Sequence, residues 1–329
     1  MPTRLGEREI IQLLTGIYGK NSKFPLGYDD DVAAVPINSR TWMILKSDML
    51  ASSTDVPPGM RLWQAARKAI VATVSDFAAK GVQPRALMVS LGLPAWFRRK
   101  QVEEIGVGLA RGSAEFGCPI VGGDTGQSDD LTIDCIGAGI ANPSRLMRRR
   151  GAGPGDIVAV TGKFGNSAAG LRLLLSGKKA RFGDEKRLVR TVLLPEARLA
   201  EGLVLARAGV ATSSIDSSDG LAWSLHEIAR CSRVRIGLDR VPVATEAESY
   251  GRRTGVSPVE LALFGGEEYE LVVTIKAKEF RRAKHLVPSL IALGRVGKGP
   301  PAVGASIGGR LLEVEARGWE HFRSGKGFG

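Results

Sequence analysis

A chain of 329 residues that is 43% hydrophobic and holds 42 glycines is long enough for two ordinary domains and too apolar to be a disordered chain. Its three cysteines, Cys118, Cys135 and Cys231, form no Cys-x-x-Cys pair and no even framework, which excludes a disulfide scaffold and fits a reducing cytoplasm. The net charge of +12 divides into +1 over residues 1–145 and +11 over the rest, without the aromatic-interleaved basic stripe of a nucleic-acid surface.

Met1–Tyr18 lacks a long apolar core, so no signal peptide is expected, and no window approaches the ~18 apolar residues of a membrane span. Within it Ile10, Leu13, Leu14 and Ile17 recur at helical spacing. Asp31–Ile37 and Thr41–Leu50 read as strands. Arg61–Lys80 reads as a helix with Leu62, Ala66, Ile70, Thr73 and Phe77 on one face, stopped by Gly81. Ala86–Leu93 is a predicted strand, Trp96–Phe116 a helix and Leu131–Ile140 a strand. Gly151–Gly155 reads as a linker turn, and the domain boundary is set near residue 146, giving units 1–145 and 146–329. The second unit opens with a strand at Asp156–Thr161 and a helix from about Ser167. Further helices fit Pro195–Ala208 and Leu221–Arg230, and strands fit Arg235–Leu238, Tyr269–Ile275 and Leu290–Val296. Strands and helices mix without a strict βαβ rhythm, which predicts two α+β domains.

Five acidic segments punctuate this pattern. Gly27-Tyr28-Asp29-Asp30-Asp31 sets three carboxylates side by side, which costs energy unless a cation is shared; a solvated turn accounts for it equally. Asp48 ends an apolar strand, where a rigid base can carry a ligand. Asp76 falls close to the apolar stripe of its helix, and a carboxylate near a core needs a partner or a metal. Gly122-Gly123-Asp124-Thr125 follows a short apolar run and reads as a turn whose glycines let the backbone approach an anion. Asp216-Ser217-Ser218-Asp219-Gly220 precedes a helix, where it serves as a cap or as a seat for metal and phosphate.

The glycine turn Thr161–Ser167 lacks the Walker A spacing. Arg149 stands in a basic run where a guanidinium can pair with phosphate oxygens. Gly265-Gly266-Glu267-Glu268 enters a strand, and Trp319 lies in a C-terminal Gly-Trp-Glu-His-Phe run where it could stack on a planar ring or dock the tail. Acids against glycine turns suit phosphoryl transfer, in which metal ions neutralise phosphate charge. Three histidines and no Ser-His-Asp set leave a histidine-based hydrolase without its parts.

Taken in order, Gly27–Asp31, Ser47-Asp48, Ser75-Asp76, Gly122–Asp124, Arg149, Asp216–Gly220 and Gly265–Glu270 resemble thiamine-monophosphate kinase, in the superfamily of aminoimidazole ribonucleotide synthetase. The resemblance covers nearly the whole chain. It implies an N-terminal mixed α/β domain whose strands pair across a homodimer, a larger C-terminal α/β domain, and ATP in a cleft between them with several Mg2+ ions. It implies metal binding by Asp30, Ser47, Asp48, Asp76, Asp124, Asp216 and Asp219, and ATP contacts from Gly123, Asp124, Arg149 and Ser218. Glu267, Glu268, Trp319 and the position of Asp55 match the region that holds thiamine phosphate. The implied reaction is direct in-line transfer from ATP to thiamine monophosphate, with no general base and no phosphoenzyme.

This chain departs from the family pattern at Lys46, where a hydroxyl residue is usual, and at Asp55, where many members carry histidine. Glu268 replaces an aspartate and Asp29 a glycine. A selenophosphate synthetase would need a reactive cysteine near its start, and none precedes Cys118; the carbamoyl-handling maturation protein would need one at its end, which here reads Gly-Phe-Gly. Aminoimidazole ribonucleotide synthetase is the alternative within the superfamily. A basic nucleic-acid-binding module is the alternative outside it, and has no need of clustered acids.

Overall fold

The helix predicted at Arg61–Lys80 is the spine of the molecule. Its alanine-rich sequence favours a helix over its whole length, and its first turn is closed by Gln64, whose Oε1 accepts from the Arg61 N–H at 2.9 Å. Gly81, at φ 65°, stops it with two backbone bonds to the preceding turn. From Gln64 to Lys80 almost every side chain is buried, including Lys68, Asp76 and Lys80. A helix buried all round belongs between two layers, and the computed structural model, which describes residues 5–18, 24–307 and 310–322, places it there.

The first half contains α1 (Glu7–Tyr18), β1 (Ala33–Asn38), β2 (Thr41–Ala51), α2 (Ser52–Asp55), α3 (Leu62–Lys80, the spine), β3 (Pro84–Leu93), α4 (Arg99–Phe116), β4 (Ile120–Gln127) and β5 (Thr132–Ala141). Its five strands form one sheet in the order β1-β2-β5-β3-β4. One face packs on α3 and α4 through Leu50, Leu87, Val89 and Ile133 against Ala66, Ile70, Val74 and Ile105. The opposite face is open, with Met49 and Met88 63% and 47% exposed.

The second half follows with β6 (Ile157–Val160), α5 (Asn166–Leu175), α6 (Gly183–Leu193), α7 (Leu199–Ala208), β7 (Ala211–Asp216) and α8 (Leu221–Ser232). Then come β8 (Arg235–Leu238), α9 (Thr245–Thr254), α10 (Pro258–Phe264), β9 (Leu271–Ile275), α11 (Phe280–Leu286), β10 (Ile291–Gly297), β11 (Ala302–Ile307) and β12 (Arg310–Glu313). A seven-stranded mixed sheet runs β12-β11-β8-β10-β6-β9-β7. Helix α8 covers one part of it, with Leu221, Leu225 and Ile228 against Val158, Ile236 and Val296. Helix α7 packs on α3 so closely that a Cβ on Gly202 would lie 2.0 Å from the Ala78 carbonyl oxygen. The mixed α/β, two-domain architecture is the one the pattern of strands and helices predicts.

Several elements are absent from the expectation, α6, α9, α10, α11, β11 and β12 among them, and three further differences have a plain physical reason. The Gly122–Thr125 turn is part of β4, an exposed edge strand parallel to β3. Its glycines and aspartate give no apolar alternation because neither its outer edge nor its faces are covered. The helix expected from Trp96 begins at Arg99, after a turn closed by Phe97 N–H on Pro94 O at 2.9 Å. Strand β7, whose Ala-Thr-Ser-Ser-Ile-Asp sequence carries little apolar signal, carries Asp216 at its end beside the spine helix.

Candidate metal and phosphate cleft

Strand β2 sends alternate side chains to opposite faces, so Lys46, Asp48 and Leu50 point toward α3 while Ser47 and Met49 point to the open face. Helix α3 supplies Ser75, Asp76 and Lys80 from its buried surface, and the loop before β1 brings Asp30 and Asp31. From the second domain, β7 ends on Asp216 and the turn into α8 carries Ser218 and Asp219. These segments meet around a cleft of about 590 Å³ lined by Asp30, Lys46, Asp48, Asp76, Asp216 and Asp219 among others.

At its base Asp31, Asp76 and Asp216 are all buried and each offers a carboxylate oxygen within 4.8 Å of the others. Ser75 donates its hydroxyl to Asp216 Oδ2 at 2.8 Å, joining the two domains. Cations take up part of the negative charge. Lys80 Nζ lies 2.5 Å from Asp30 Oδ1 and 2.7 Å from Asp31 Oδ2, and also donates to the Ser214 carbonyl at 3.0 Å. Arg149 clamps Asp31, with Nε 2.6 Å from Oδ1, and reaches Glu227 at 3.4 Å. Lys46 Nζ lies 2.9 Å from Asp76 Oδ2.

The titration of these groups follows from that distribution. Burial alone would raise the Asp31 carboxyl, but Arg149 and Lys80 outweigh it and hold the group below its ordinary value. Burial pushes Asp216 up to about 6, with Asp31 adding to the shift. Burial and then Glu7 push Asp219 up to about 7. Asp76 is raised well above its ordinary value by burial despite Lys46, with Asp216 and Asp48 adding to the rise. Asp48 is raised by burial too. Among the described residues Asp48, Asp216 and Asp219 have no ion pair. An all-oxygen set of carboxylates with excess negative charge suits a hard divalent cation such as Mg2+, and the residues present fit one.

A second cavity of about 510 Å³ adjoins the first, with Leu171, Leu261, Phe264 and Arg317 in its wall. Asp55, Lys68, Glu267 and Trp319 line both and form the junction. Lys68 Nζ lies 2.5 Å from Glu267 Oε1 and donates to the Asp55 carbonyl at 2.8 Å. Glu267 and Tyr269 sit at φ 61° and 53°, which strains non-glycine residues. Their loop is pinned in that form by Glu267 N–H on Ser218 O at 2.6 Å and Tyr269 N–H on Ser217 O at 3.1 Å.

Of the residues singled out from sequence, Asp30, Asp48, Asp76, Arg149, Asp216, Ser218 and Asp219 meet in the first cavity, and Asp55, Glu267 and Trp319 at the junction. Ser47, Gly123 and Asp124 do not join them within one chain. Ser47 donates to Asp134 Oδ1 at 2.7 Å on the open face, and the register row Asp134–Ser90–Asp124 puts Asp124 on that same face. Gly123 has a packing reason to be glycine, because its Cβ would lie 1.8 Å from the Val89 carbonyl oxygen on β3. Glu268 lines neither cavity: its Oε1 accepts from the Gly165 and Ser167 N–H groups at 2.6 and 3.0 Å, at the start of α5. Burial pushes that carboxyl up to about 7.

Sequence reasoning passed over Asp31 as a ligand in favour of Asp30, noted Lys46 only as a departure from the family pattern, and passed over Lys68 and Lys80 altogether. Buried lysines at 68 and 80 in an otherwise apolar helix were the available signal, since burial of an ammonium requires a partner.

Comparison with known proteins adds to this geometry. Residues 29–141 match the family model described as AIR synthase related protein, N-terminal domain. The thiamine-monophosphate kinase of Nitrosopumilus maritimus is 34% identical over 98% of this chain and 100% of its own length. That of Pyrococcus horikoshii is 36% identical over 98% of each chain. Among solved structures, AaThiL complexed with AMPPCP and TMP superposes with a TM-score of 0.86 at 31% identity, covering 98% of this chain and 100% of that one. The hydrogenase maturation protein HypE, at 19% identity and a TM-score of 0.70, shares the fold. With full-length relatives above 30% identity and the same two-domain frame around the acidic cleft, the chain belongs to the thiamine-monophosphate kinase family.

Proposed function

We propose that this chain transfers the γ-phosphoryl group of ATP to thiamine monophosphate, giving ADP and thiamine diphosphate. The observation that carries the reading is the pair of joined cavities: one acidic and shared by both domains, the other walled by aliphatic and aromatic side chains. A polyphosphate with its cations fits the first, and a flat organic cation the second. The structurally similar AaThiL, complexed with AMPPCP and TMP, supports both assignments.

In this reading Asp30, Asp48, Asp76, Asp216 and Asp219 are the candidate Mg2+ ligands, with Asp31 beside them at the base of the cleft; Asp48, Asp216 and Asp219 are the ones without a cationic partner among the described residues. Bound there, Mg2+ would neutralise phosphate charge and hold the reacting oxygens in line. Arg149 and Ser218 face the nucleotide. Glu267, Asp55 and Trp319 orient the thiamine phosphate at the junction, where two carboxylates and an indole suit a positively charged ring. Lys68 holds Glu267 and the Asp55 backbone in that arrangement. The acceptor is a phosphate monoester oxygen whose second pKa is near ~6, so it is ionised at neutral pH and needs no base from the protein.

The division of labour follows the two units, with 1–145 carrying metal ligands and the dimer surface and 146–329 carrying the nucleotide turn and the organic pocket. The open face of the first sheet supports a homodimer, and Ser47, Gly123 and Asp124 take their parts in metal or ATP binding through that second copy. A cytoplasmic setting is the natural one for a nucleotide-dependent biosynthetic enzyme; among the described residues no helix is long and apolar enough to cross a membrane. Incubating the purified protein with ATP, Mg2+ and thiamine monophosphate should yield thiamine diphosphate and ADP in equal amounts. ADP with free phosphate and no thiamine diphosphate would overturn the assignment of the acceptor.

A further inference from the structure

The cleft contains a cation that belongs to the protein. Lys46 stands on β2 two residues before Asp48, on the same helix-facing side, opposite Gly137 of β5. Its ammonium reaches Asp76 Oδ2 at 2.9 Å, and its side chain is 24% exposed within the cavity wall. Among the described residues it is the one cation paired with Asp76. Its charge also acts on Asp48 and Asp216, on either side of the same cavity. Lys80 and Arg149 are committed elsewhere, to Asp30, Asp31 and Glu227. Without Lys46, none of Asp48, Asp76 and Asp216 would be ion-paired with a lysine or arginine among the described residues.

We propose that Lys46 is a resident counter-ion occupying the Asp76 side of the cleft, so that this protein binds one divalent cation fewer than its carboxylates could hold. The proposal rests on the metal-binding reading above. A tethered ammonium neutralises one carboxylate and donates up to three hydrogen bonds, but it does not dissociate with product and cannot bridge two phosphate oxygens as a divalent ion does. A divalent ion at Asp76 must displace it against the cost of leaving an ammonium unpaired in a partly buried wall. Divalent binding is therefore directed to the acids that have no ion pair, Asp48, Asp216 and Asp219.

The test counts ions in nucleotide-free protein by equilibrium dialysis with Mn2+, so its readout is independent of turnover. Lys46→Met should bind one more Mn2+ per chain than the native protein, or bind its tightest ion at least tenfold more tightly. Lys46→Arg, which keeps the charge, should bind the native number. The double variant Lys46→Met/Asp76→Asn removes both charges of the pair, preserves the charge balance on which folding depends, and should also return to the native number. If Lys46→Met folds only with Mn2+ present, the count is taken after refolding in Mn2+ and dialysis. Equal number and affinity for Lys46→Met and native protein would overturn the proposal while leaving metal binding intact. An extra ion retained in the double variant would overturn it too, since that ion could not depend on Asp76. No Mn2+ on any of the four proteins would remove the metal reading itself, and this proposal with it.

Discussion

Asp31 and Asp216 are the same residue type, equally buried at 4% exposure, and their oxygens belong to one cluster, yet they titrate in opposite directions. Lys80 and Arg149 hold Asp31 ionised below its ordinary value, whereas Asp216 has a serine hydroxyl for a partner and is pushed up to about 6. The difference lies in the neighbours, not in the depth. One half of the cleft is already electrically complete and ties the loop at Asp30 and Asp31 to the spine helix. The other half carries negative charge that the protein leaves unbalanced, which is the condition for recruiting a cation with the substrate. Lys46 stands at the border between the two.

The sharpest way to break this comparison is to neutralise each side. Asp216→Asn should lower turnover at least ~1000-fold, about 4 kcal/mol of transition-state stabilisation, while leaving the melting temperature unchanged or raised. Turnover within tenfold of native would show that the unbalanced half is not the working half. On the balanced side, Lys80→Met strands two buried carboxylates and should cost about 3 kcal/mol of stability in urea denaturation. A loss below about 1 kcal/mol would mean that Arg149 alone suffices for Asp31.

The pH dependence separates the halves more gently. A carboxyl raised in the folded state holds its proton longer there than in the unfolded chain, so its contribution to stability is present at low pH and lost as pH rises. Asp216 at about 6 and Asp219 at about 7 should therefore make the metal-free protein lose several degrees of melting temperature between about pH 4 and 7. Glu268, at about 7, acts in the same sense. Asp31 contributes oppositely, stabilising above the ordinary carboxylate range and losing that contribution only in acid. Saturating Mg2+ should flatten the decline, and Asp219→Asn should remove part of it without metal. A decline of unchanged slope in both cases would place its origin outside the cleft. The smallest effect is expected at the junction: Trp319→Ala should raise KM for thiamine monophosphate about tenfold with little change in KM for ATP. An equal rise in both would move Trp319 out of the organic pocket.

Much of this was legible before the fold was seen. Periodicity located α1, α3, β2 and β9 to within a few residues, and the acidic motifs in their order carried the family resemblance. Legibility failed where the signal was short or non-local. Strand β4 reads as a turn because glycines and an aspartate on an open edge carry no alternation. Glu268 sits next to Glu267 in a motif that points to substrate, yet the positive φ at Glu267 turns the two carboxylates to different places, one to the junction and one to the start of α5.

The period of a strand is a local property of the backbone, so the sequence of β2 by itself determines that Lys46 and Asp48 share one face and Ser47 the other, although the family resemblance groups Ser47 with Asp48 as ligands. Helical spacing likewise put Asp76 near the buried face of α3, and the acids set against glycine turns pointed to metal and phosphate chemistry. Which face of β2 borders the cleft, and that Lys46 meets Asp76 while Lys80 meets Asp30 and Asp31, were decided only by the packing of α3 between the two sheets. Charges separated by tens of residues have no sequence signature for their distance, and at a few ångströms distance and burial together set whether an aspartate is held ionised or left waiting for a cation.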